Sequence, residues 1–294
     1  MNSAQPFHLI CPSGAVRTEA LRDGMAVFTE LGFEGELWPG ATNRAGYFAG
    51  THEARAQRLK NALTDSTSPL WMIRGGFGAI HTLEHGMPLF EELAPRALWG
   101  FSDGTALLSA WIRQGWPAWH APPITQLPRL DEESRTRLQK ACFEGHVAPL
   151  EDLDVLNGGS ASGPLAGGNL TVLASLVGTP FAAEFSESIL LLEDVSETAY
   201  RVDRLVTQLR LSGALDGVRG LVLGQFTDIP EAEMQKIRAF FEETSRSLNI
   251  PCVWGAPIGH GNANATVPMG AGDGWQASLT AVGASAHLEF QRDG

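Results

Sequence analysis

The sequence places a serine where hydrolases place a nucleophile. Ser102 lies in the segment 100–104, GFSDG, between an apolar strand pattern that ends at Trp99 and a helix pattern that begins at Thr105. This G-x-S-x-G spacing is typical of a tight strand-to-helix turn that lifts a serine hydroxyl above a sheet. Glycines suit such a turn, because its strained backbone leaves little room for a neighbouring Cβ. The alternative is a small polar turn in which Ser102 or Asp103 only caps the helix.

A serine hydroxyl becomes a nucleophile only when a base takes its proton and a carboxylate orients that base. Among the eight histidines, His260 fits best, because it lies in a glycine-flanked loop directly after an apolar strand pattern. Such loops carry the chemistry of α/β proteins, although an exposed loop residue is the alternative. Glu193 and Asp194 end the apolar strand pattern 189–192, and either could orient the base while the other caps a helix.

The remaining histidines and the cysteines favour neither a metal centre nor a disulfide framework. His81 and His85 have a four-residue spacing that metal ligands can have on a helix, but no HExxH motif accompanies them. The three cysteines, at positions 11, 142 and 252, are an odd, widely separated set without a CxxC pair, which favours a reducing compartment. We therefore expect no metal ion and no disulfide framework.

Composition and charge limit the possible partners. The 294 residues include 33 Asp and Glu against 21 Lys and Arg, and nucleic acid or an anionic membrane would repel the resulting net charge of −12. The N-terminus lacks a signal-peptide pattern, and no stretch reaches the roughly 20 apolar residues of a membrane span. These features predict a cytoplasmic protein whose partner is neither nucleic acid nor a membrane, and they say little about a small substrate.

The elements around these residues predict an α/β fold. Short apolar strand patterns alternate with helix patterns, which is typical of right-handed βαβ units and a parallel sheet. The Gly/Ser-rich run 157–164 predicts a linker, which divides the chain into residues 1–147, a linker 148–166 and residues 167–294. We expect an N-terminal parallel-sheet domain with flanking helices, a smaller C-terminal α/β domain, and an active site in the cleft between them.

Seven segments, taken in order, resemble the LD-carboxypeptidase family. These are cytoplasmic serine peptidases of murein recycling, and their relatives include the microcin C immunity peptidases. The resemblance covers nearly the whole chain and lies in residues 11–14, 74–78, 100–105, 167–170, 192–195, 200–204 and 257–260. The family pattern has tyrosine where Phe77 and Phe101 stand and a larger residue where Gly104 stands. The missing hydroxyls bear on fine substrate preference and leave the triad intact.

Carried over position by position, the resemblance implies Ser102 as nucleophile, His260 as general base and then acid, and Glu193 as the carboxylate that orients it. It also implies an oxyanion hole from the backbone N–H groups of Gly76 and Asp103. The implied substrate is a murein tetrapeptide, cut through an acyl-enzyme at the amide between an L-configured centre and the terminal D-alanine. The resemblance further implies a homodimer and a reaction without cofactor.

A carboxypeptidase must hold a free C-terminal carboxylate, so a cation or a cluster of N–H groups is expected near the serine. Arg74 and Gly75 are the candidates next to Gly76, with a structural ion pair as the alternative for Arg74. Asn169 could hydrogen-bond the substrate or only close the glycine turn before it.

Three other functions remain open. A microcin-immunity peptidase, acting on peptidyl-nucleotide conjugates, should place an aromatic side chain before Glu193 to stack on the base, and residues 148–163 contain none. An α/β-hydrolase-like esterase should have an HGG-type motif where this chain has Arg74, Gly75 and Gly76. A binding protein without catalysis would keep the cleft but leave the serine unreactive toward a fluorophosphonate.

Overall fold

The first half of the chain alternates strands and helices around a parallel sheet, as predicted. The computed structural model describes residues 6–64, 67–86 and 93–293. The strands are β1 (Phe7–Ile10), β2 (Gly35–Leu37), β3 (Leu70–Met72), β4 (Leu98–Gly100) and β5 (Ala118–His120). The helices are α1 (Thr18–Glu30), α2 (His52–Thr64), α3 (Ala79–Gly86), α4 (Thr105–Arg113) and α5 (Glu132–Glu144). The strands lie in the order β5-β4-β3-β1-β2 and pair in parallel.

Large aromatic side chains hold the middle of this sheet. Trp71 of β3 and Trp99 of β4 have ring centroids 5.3 Å apart, and Trp99 stacks on Trp119 of β5 at 5.0 Å. All three are buried, as expected for parallel strands that are covered on both faces. The strands that lead into the glycine loop 74–78 and into Ser102 are therefore fixed by close packing.

The second half contains the larger sheet. Its elements are β6 (Leu150–Asn157), β7 (Gly159–Gly163), β8 (Leu165–Asn169), α6 (Leu170–Leu176), β9 (Ile189–Val195), α7 (Ala199–Leu211), β10 (Gly220–Thr227), α8 (Glu231–Leu248), β11 (Cys252–Trp254), β13 (Trp275–Val282) and β14 (Ser285–Arg292). The order is β7-β13-β14-β6-β11-β10-β9-β8. Strands β8 to β11 pair in parallel, and the others pair antiparallel.

The prediction of a linker at residues 148–166 is wrong. This segment forms β6 and β7 and begins β8, so the second sheet has eight strands and is larger than the first. Its glycines serve close packing: a Cβ on Gly163 would lie 2.2 Å from the carbonyl oxygen of Glu187, and one on Gly167 would lie 2.1 Å from that of Leu191. From sequence alone, glycines that allow close backbone packing cannot be distinguished from the glycines of a flexible linker.

One strand of the second half completes the first sheet. Strand β12 (Val267–Met269) pairs antiparallel with β5 and raises that sheet to six strands. The chain therefore leaves the second sheet after β11, crosses to the first sheet and returns at β13. The crossing segment, residues 255–266, contains His260. Within the described residues, no helix combines the length and apolar character that crossing a bilayer requires.

Candidate active site

Ser102 lies in a sharp turn between β4 and α4. Its φ is 60°, in the left-handed region that residues other than glycine rarely adopt, whereas Phe101 before it is extended. One turn of 3-10 helix, Ser102–Gly104, then leads directly into α4. This strained serine between a strand and a helix has the backbone geometry of a nucleophile elbow.

Three side chains from separate loops form one hydrogen-bonded series, the Ser102–His260–Glu193 series. The Ser102 Oγ lies 3.0 Å from His260 Nε2, and His260 Nδ1 lies 2.8 Å from Glu193 Oε2. An ionised carboxylate can only accept a hydrogen bond, so the neutral imidazole carries its proton on Nδ1. The Nε2 atom is then free to accept the Ser102 hydroxyl proton.

Glu193 is completely buried at the end of β9. Burial raises the pKa of Glu193 above its ordinary value, while its hydrogen bond and charge interaction with His260 oppose the rise. Asn169 Nδ2 donates to the second oxygen of Glu193 at 3.2 Å and to Asp194 Oδ1 at 3.0 Å. Both carboxylate oxygens of Glu193 thus have partners, which fixes the orientation of the carboxylate.

Asn169 lies behind Glu193 and is 5% exposed. Its Oδ1 accepts from the N–H of Val172 at 3.1 Å and caps α6, and its own N–H donates to Thr105 Oγ1 at 3.0 Å. Asn169 is therefore the last residue of β8 and the N-cap of α6. Gly167 and Gly168 lie inside β8, so the turn that Asn169 was expected to close is not formed. The contact with Glu193 follows from the register of β8 and β9, in which the two residues are partners, and sequence reasoning missed it.

Gly75 and Gly76 bring the loop after β3 against the serine. A Cβ on Gly75 would lie 2.9 Å from Ser102 Cβ and 3.1 Å from Ser102 Oγ. Gly76 has a φ of 105°, and a Cβ there would lie 3.2 Å from Gly14 Cα. Such close approach is what a pair of backbone N–H donors around a nucleophile requires.

The side chain of Asp103 joins the serine turn to the same loop. Its Oδ2 accepts from the N–H of Ala79, the first residue of α3, at 2.8 Å. Asp103 is buried, and this burial raises the pKa of its carboxyl group. The bond fixes the turn at Ser102 relative to the loop 74–78, whose Gly76 is the second expected oxyanion donor.

Replacing Gly75 with alanine should displace the serine without unfolding the protein. The φ of Gly75 lies outside the left-handed region, so only the close contact with Ser102 is changed. We expect kcat/KM for peptide hydrolysis to fall about 100-fold, the effect of a displacement on the order of 1 Å at reacting atoms. Gly158→Ala is the control, because its Cβ would meet only Ala281 O, at 3.5 Å. Equal activity in the two variants would contradict the prediction.

The loop that carries His260 is held by a glutamine of the first half. Gln126 Nε2 donates to the carbonyl oxygens of Gly259 at 3.2 Å and Gly261 at 3.1 Å, the two residues that flank His260. From the opposite side, the N–H of Gly261 donates to Gln225 Oε1 at 3.1 Å. These contacts hold the imidazole position through the backbone on both sides of it.

Asn264 extends this support. Its Oδ1 accepts from the N–H of Gly259 at 3.1 Å and from His120 Nε2 at 3.0 Å, and its Nδ2 donates to Gln126 Oε1 at 2.9 Å. Burial lowers the pKa of His120 to about 4, so this ring is neutral at neutral pH and donates through Nε2. No sequence pattern marks Gln126 or Asn264, because the bond between them and the bond from His120 to Asn264 join residues 138 and 144 positions apart.

Replacing Gln126 with leucine should loosen His260. We expect kcat to fall about 10- to 100-fold with a smaller change in KM, because the general base is displaced, whereas Gln126 is one of many residues that line the cavity beside Ser102. Steady-state kinetics of peptide hydrolysis measure both. Gln139→Leu is a matched control, since Gln139 Nε2 binds the carbonyl oxygen of Leu31 in the N-terminal domain, outside the site. A change in KM alone would instead mean that Gln126 contacts substrate.

A cavity of about 820 Å³ opens beside Ser102 and His260. Arg74 and Gly75, two of the expected substrate-binding residues, line it together with Gly76, an expected oxyanion donor. Asn169, the third expected binding residue, is not part of the lining. Arg74 Nη1 donates to the carbonyl oxygen of Ala15. Among the described residues, Arg74 forms no ion pair with a carboxylate, so the structural alternative offered for it is not observed.

Two of the departures from the family pattern are phenylalanines. Phe101 is buried, with its ring centroid 4.4 Å from that of His260 and 5.0 Å from that of His120. Phe77 is half exposed and lies against Tyr47 and Phe48. An apolar ring therefore covers one side of the His260 imidazole where a tyrosine would bring a hydroxyl.

The third departure has a packing reason. A Cβ on Gly104 would lie 2.4 Å from Met72 Sδ, and one on Gly100 would lie 3.0 Å from the same atom. The buried thioether of Met72 thus occupies the space that a larger residue at position 104 would need.

The histidine pair His81 and His85 is engaged in local contacts. His85 Nδ1 lies 2.9 Å from the carbonyl oxygen of His81, and His81 Nδ1 lies 3.4 Å from Glu84 Oε2. Across residues 6–64, 67–86 and 93–293, no group of three or more His, Cys, Asp or Glu side chains could hold a metal ion.

Two family models match the chain, one in each half. The first describes an LD-carboxypeptidase N-terminal domain and matches residues 8–121, and the second describes an LD-carboxypeptidase C-terminal domain and matches residues 162–272. Between them the matches include Ser102, Glu193 and His260.

Individual proteins resemble the chain over nearly its whole length. The murein tetrapeptide carboxypeptidase of Pseudomonas aeruginosa is 35% identical over 283 residues, which cover 89% of this chain and 90% of that protein. The crystal structure of muramoyltetrapeptide carboxypeptidase from Oxalobacter formigenes superposes with a TM-score of 0.80 at 25% identity, over 98% of this chain and 99% of that one. An MccF-like protein from Bacillus anthracis shares the fold, with a TM-score of 0.83 at 20% identity over 99% and 98% of the chains.

Proposed function

Because the chain belongs to the LD-carboxypeptidase family and is a serine carboxypeptidase, we propose that it releases the terminal D-alanine of murein tetrapeptides. The bond hydrolysed is the amide between an L-configured centre and that D-alanine. The observation that supports this most directly is the Ser102–His260–Glu193 series, with its distances of 3.0 and 2.8 Å, beside a cavity large enough for a peptide.

In the proposed mechanism, the hydroxyl oxygen of Ser102 attacks the scissile carbonyl carbon while His260 Nε2 takes the hydroxyl proton. The backbone N–H groups of Gly76 and Asp103 stabilise the negative oxygen of the tetrahedral intermediate. His260 then gives its proton to the leaving nitrogen, and D-alanine departs. Water attacks the acyl-enzyme with His260 again as base, which releases the shortened peptide and restores Ser102.

Glu193 supports both proton transfers from the buried side of the imidazole. It holds the tautomer in which Nε2 can accept a proton, and its negative charge stabilises the imidazolium that forms. Asn169 fixes the orientation of Glu193 and is a positioning residue in this scheme. Arg74, beside the oxyanion loop, receives the C-terminal carboxylate, because a guanidinium matches the geometry of a carboxylate.

The experiment that tests this function is mass spectrometry of a disaccharide tetrapeptide incubated with the protein. We expect loss of one alanine, and no loss from the same peptide ending in L-alanine. A fluorophosphonate probe should label Ser102 in the folded protein. An unchanged peptide mass at high enzyme concentration would contradict the proposal, and cleavage of a peptidyl-nucleotide conjugate instead would favour the microcin-immunity alternative.

We also propose the homodimer and the cytoplasmic location that the family resemblance implies. Sedimentation equilibrium of the purified chain measures the first, and fractionation of cells that express it measures the second. A monomer at micromolar concentration, or recovery in the envelope fraction, would contradict the respective proposal.

A further inference from the structure

Four arginines line the cavity beside Ser102, and together they form the arginine cluster. Arg17 precedes α1, Arg44 lies in the loop after β2, Arg74 follows β3, and Arg129 ends the 3-10 helix Ile124–Arg129. All four side chains are exposed. Among the described residues that line the cavity, the only acidic one is Glu19. The lining therefore carries a strong excess of positive charge.

The positive charge of this cavity lining is opposite in sign to the net charge of the chain, which is −12. Acidic residues outnumber lysine and arginine by 33 to 21, so a cavity lined at random would be acidic. Seven arginines form ion pairs with carboxylates in the described part of the chain, and none of the seven lines this cavity. The cluster thus keeps its charge available to a ligand.

Two members of the arginine cluster are oriented by backbone oxygens. Arg44 Nε donates to the carbonyl oxygen of Gly46 at 2.9 Å, and Arg74 Nη1 donates to that of Ala15. A guanidinium has five N–H donors, so each of these side chains keeps donors for a ligand. Guanidinium groups bind carboxylates through two parallel hydrogen bonds. The arrangement suits an anionic ligand with more than one carboxylate.

We propose that the arginine cluster selects peptides whose acyl portion carries at least one carboxylate in addition to the C-terminal one. This deepens the proposed function and rests on it. The leaving D-alanine contributes a single carboxylate, for which Arg74 suffices. Arg17, Arg44 and Arg129 are then left for negative charge on the peptide that stays attached to Ser102. These three are specificity-determining residues that do not touch the reacting atoms.

Binding can be measured without turnover. The probes are two synthetic tetrapeptides that end in D-alanine and differ only in whether one acyl-side carboxylate is free or amidated. Titration calorimetry with the Ser102→Ala protein should give about 10- to 100-fold weaker binding of the amidated peptide, the range expected for a charge-assisted hydrogen bond. The difference should shrink as salt is raised.

Variants then locate the effect. Arg17→Gln and Arg129→Gln, singly and together in the Ser102→Ala background, should reduce the discrimination between the two peptides. In the otherwise unchanged enzyme, the same changes should raise KM for the acidic peptide and leave kcat nearly unchanged. Arg22→Gln is the matched control, because Arg22 lies on α1, pairs with Asp23 and does not line the cavity.

Each outcome decides between specific alternatives. Equal affinity for the two peptides, or equal loss of discrimination in Arg22→Gln, overturns the inference. Equal kcat/KM of the intact enzyme for both peptides also overturns it while leaving the proposed function standing. Selective binding of the acidic peptide without release of D-alanine contradicts the proposed function and supports the selection of acidic peptides by the arginine cluster. Tighter binding of a peptidyl-nucleotide than of the acidic peptide overturns the assignment to carboxylates.

Discussion

Ser102→Ala should lower kcat for hydrolysis of a D-alanine-terminated tetrapeptide by about 10⁶-fold, as loss of the nucleophile does in a serine protease. The substitution removes the one oxygen that lies 3.0 Å from His260 Nε2 and leaves the turn intact. A discontinuous assay that quantifies released D-alanine over many hours has the range to detect such a loss.

Ser109→Ala provides the control for that measurement. Ser109 also lies in the segment after β4, but it is buried, and its hydroxyl donates to the carbonyl oxygen of Thr105 at 2.8 Å within α4. We expect its kcat to stay close to that of the unmodified enzyme. More than about one per cent residual activity in Ser102→Ala would point to a different nucleophile, given the size of the effect expected.

Glu193→Gln should lower kcat by about 10⁴-fold with little change in the fold. The amide NH₂ of glutamine can donate to His260 Nδ1, which favours the tautomer protonated at Nε2, and that tautomer cannot accept the Ser102 proton. The charge that stabilises the imidazolium is also lost. Glu197→Gln is the control, because Glu197 is likewise buried but pairs with Arg201. Comparable losses in the two variants would contradict the assigned role.

The same substitution should reveal the pH dependence of stability. Burial raises the pKa of Glu193, so the folded state holds this proton more tightly than the unfolded state does. The resulting contribution to the free energy of unfolding is fully present below the ordinary pKa of 4.5 and is lost as pH rises through the folded-state value. Urea unfolding of both proteins between pH 4 and 8 should therefore show the unmodified protein losing stability relative to Glu193→Gln as pH rises. A difference that changes in the opposite direction would contradict it.

Local patterns predicted much of the fold, and the structure brings together the three residues of the proposed triad. Ser102 follows β4 of the first sheet, His260 lies in the loop after β11 of the second sheet, and Glu193 lies near the end of β9 of the second sheet. Each is close to the carboxyl end of a parallel strand, where α/β folds carry their functional residues. The alternation of strand and helix patterns predicted the parallel sheet of the first half. These predictions succeeded because each depends on a hydrophobic pattern or motif within one short stretch of sequence.

The failures share the opposite cause. Gln126 reaches partners 133 to 138 residues away, so nothing near it in sequence indicates its contacts with the His260 loop. The glycines at 163 and 167 are required by the backbone of β9 and its approach, which only the folded sheet shows. The same holds for Asn169, whose partner Glu193 follows from strand register.

The crossing of β12 into the first sheet means that the two halves are not separable modules. An N-terminal fragment without β12 would leave the edge of β5 unpaired, and an unpaired strand edge promotes aggregation. The fragment would also lack the segment 255–266, which Gln126 of the first half helps to hold. Contacts so distant in sequence form slowly, so the site is completed late in folding. A chimera that takes its first half from one relative and its second half from another must therefore take β12 from the same relative as the first sheet.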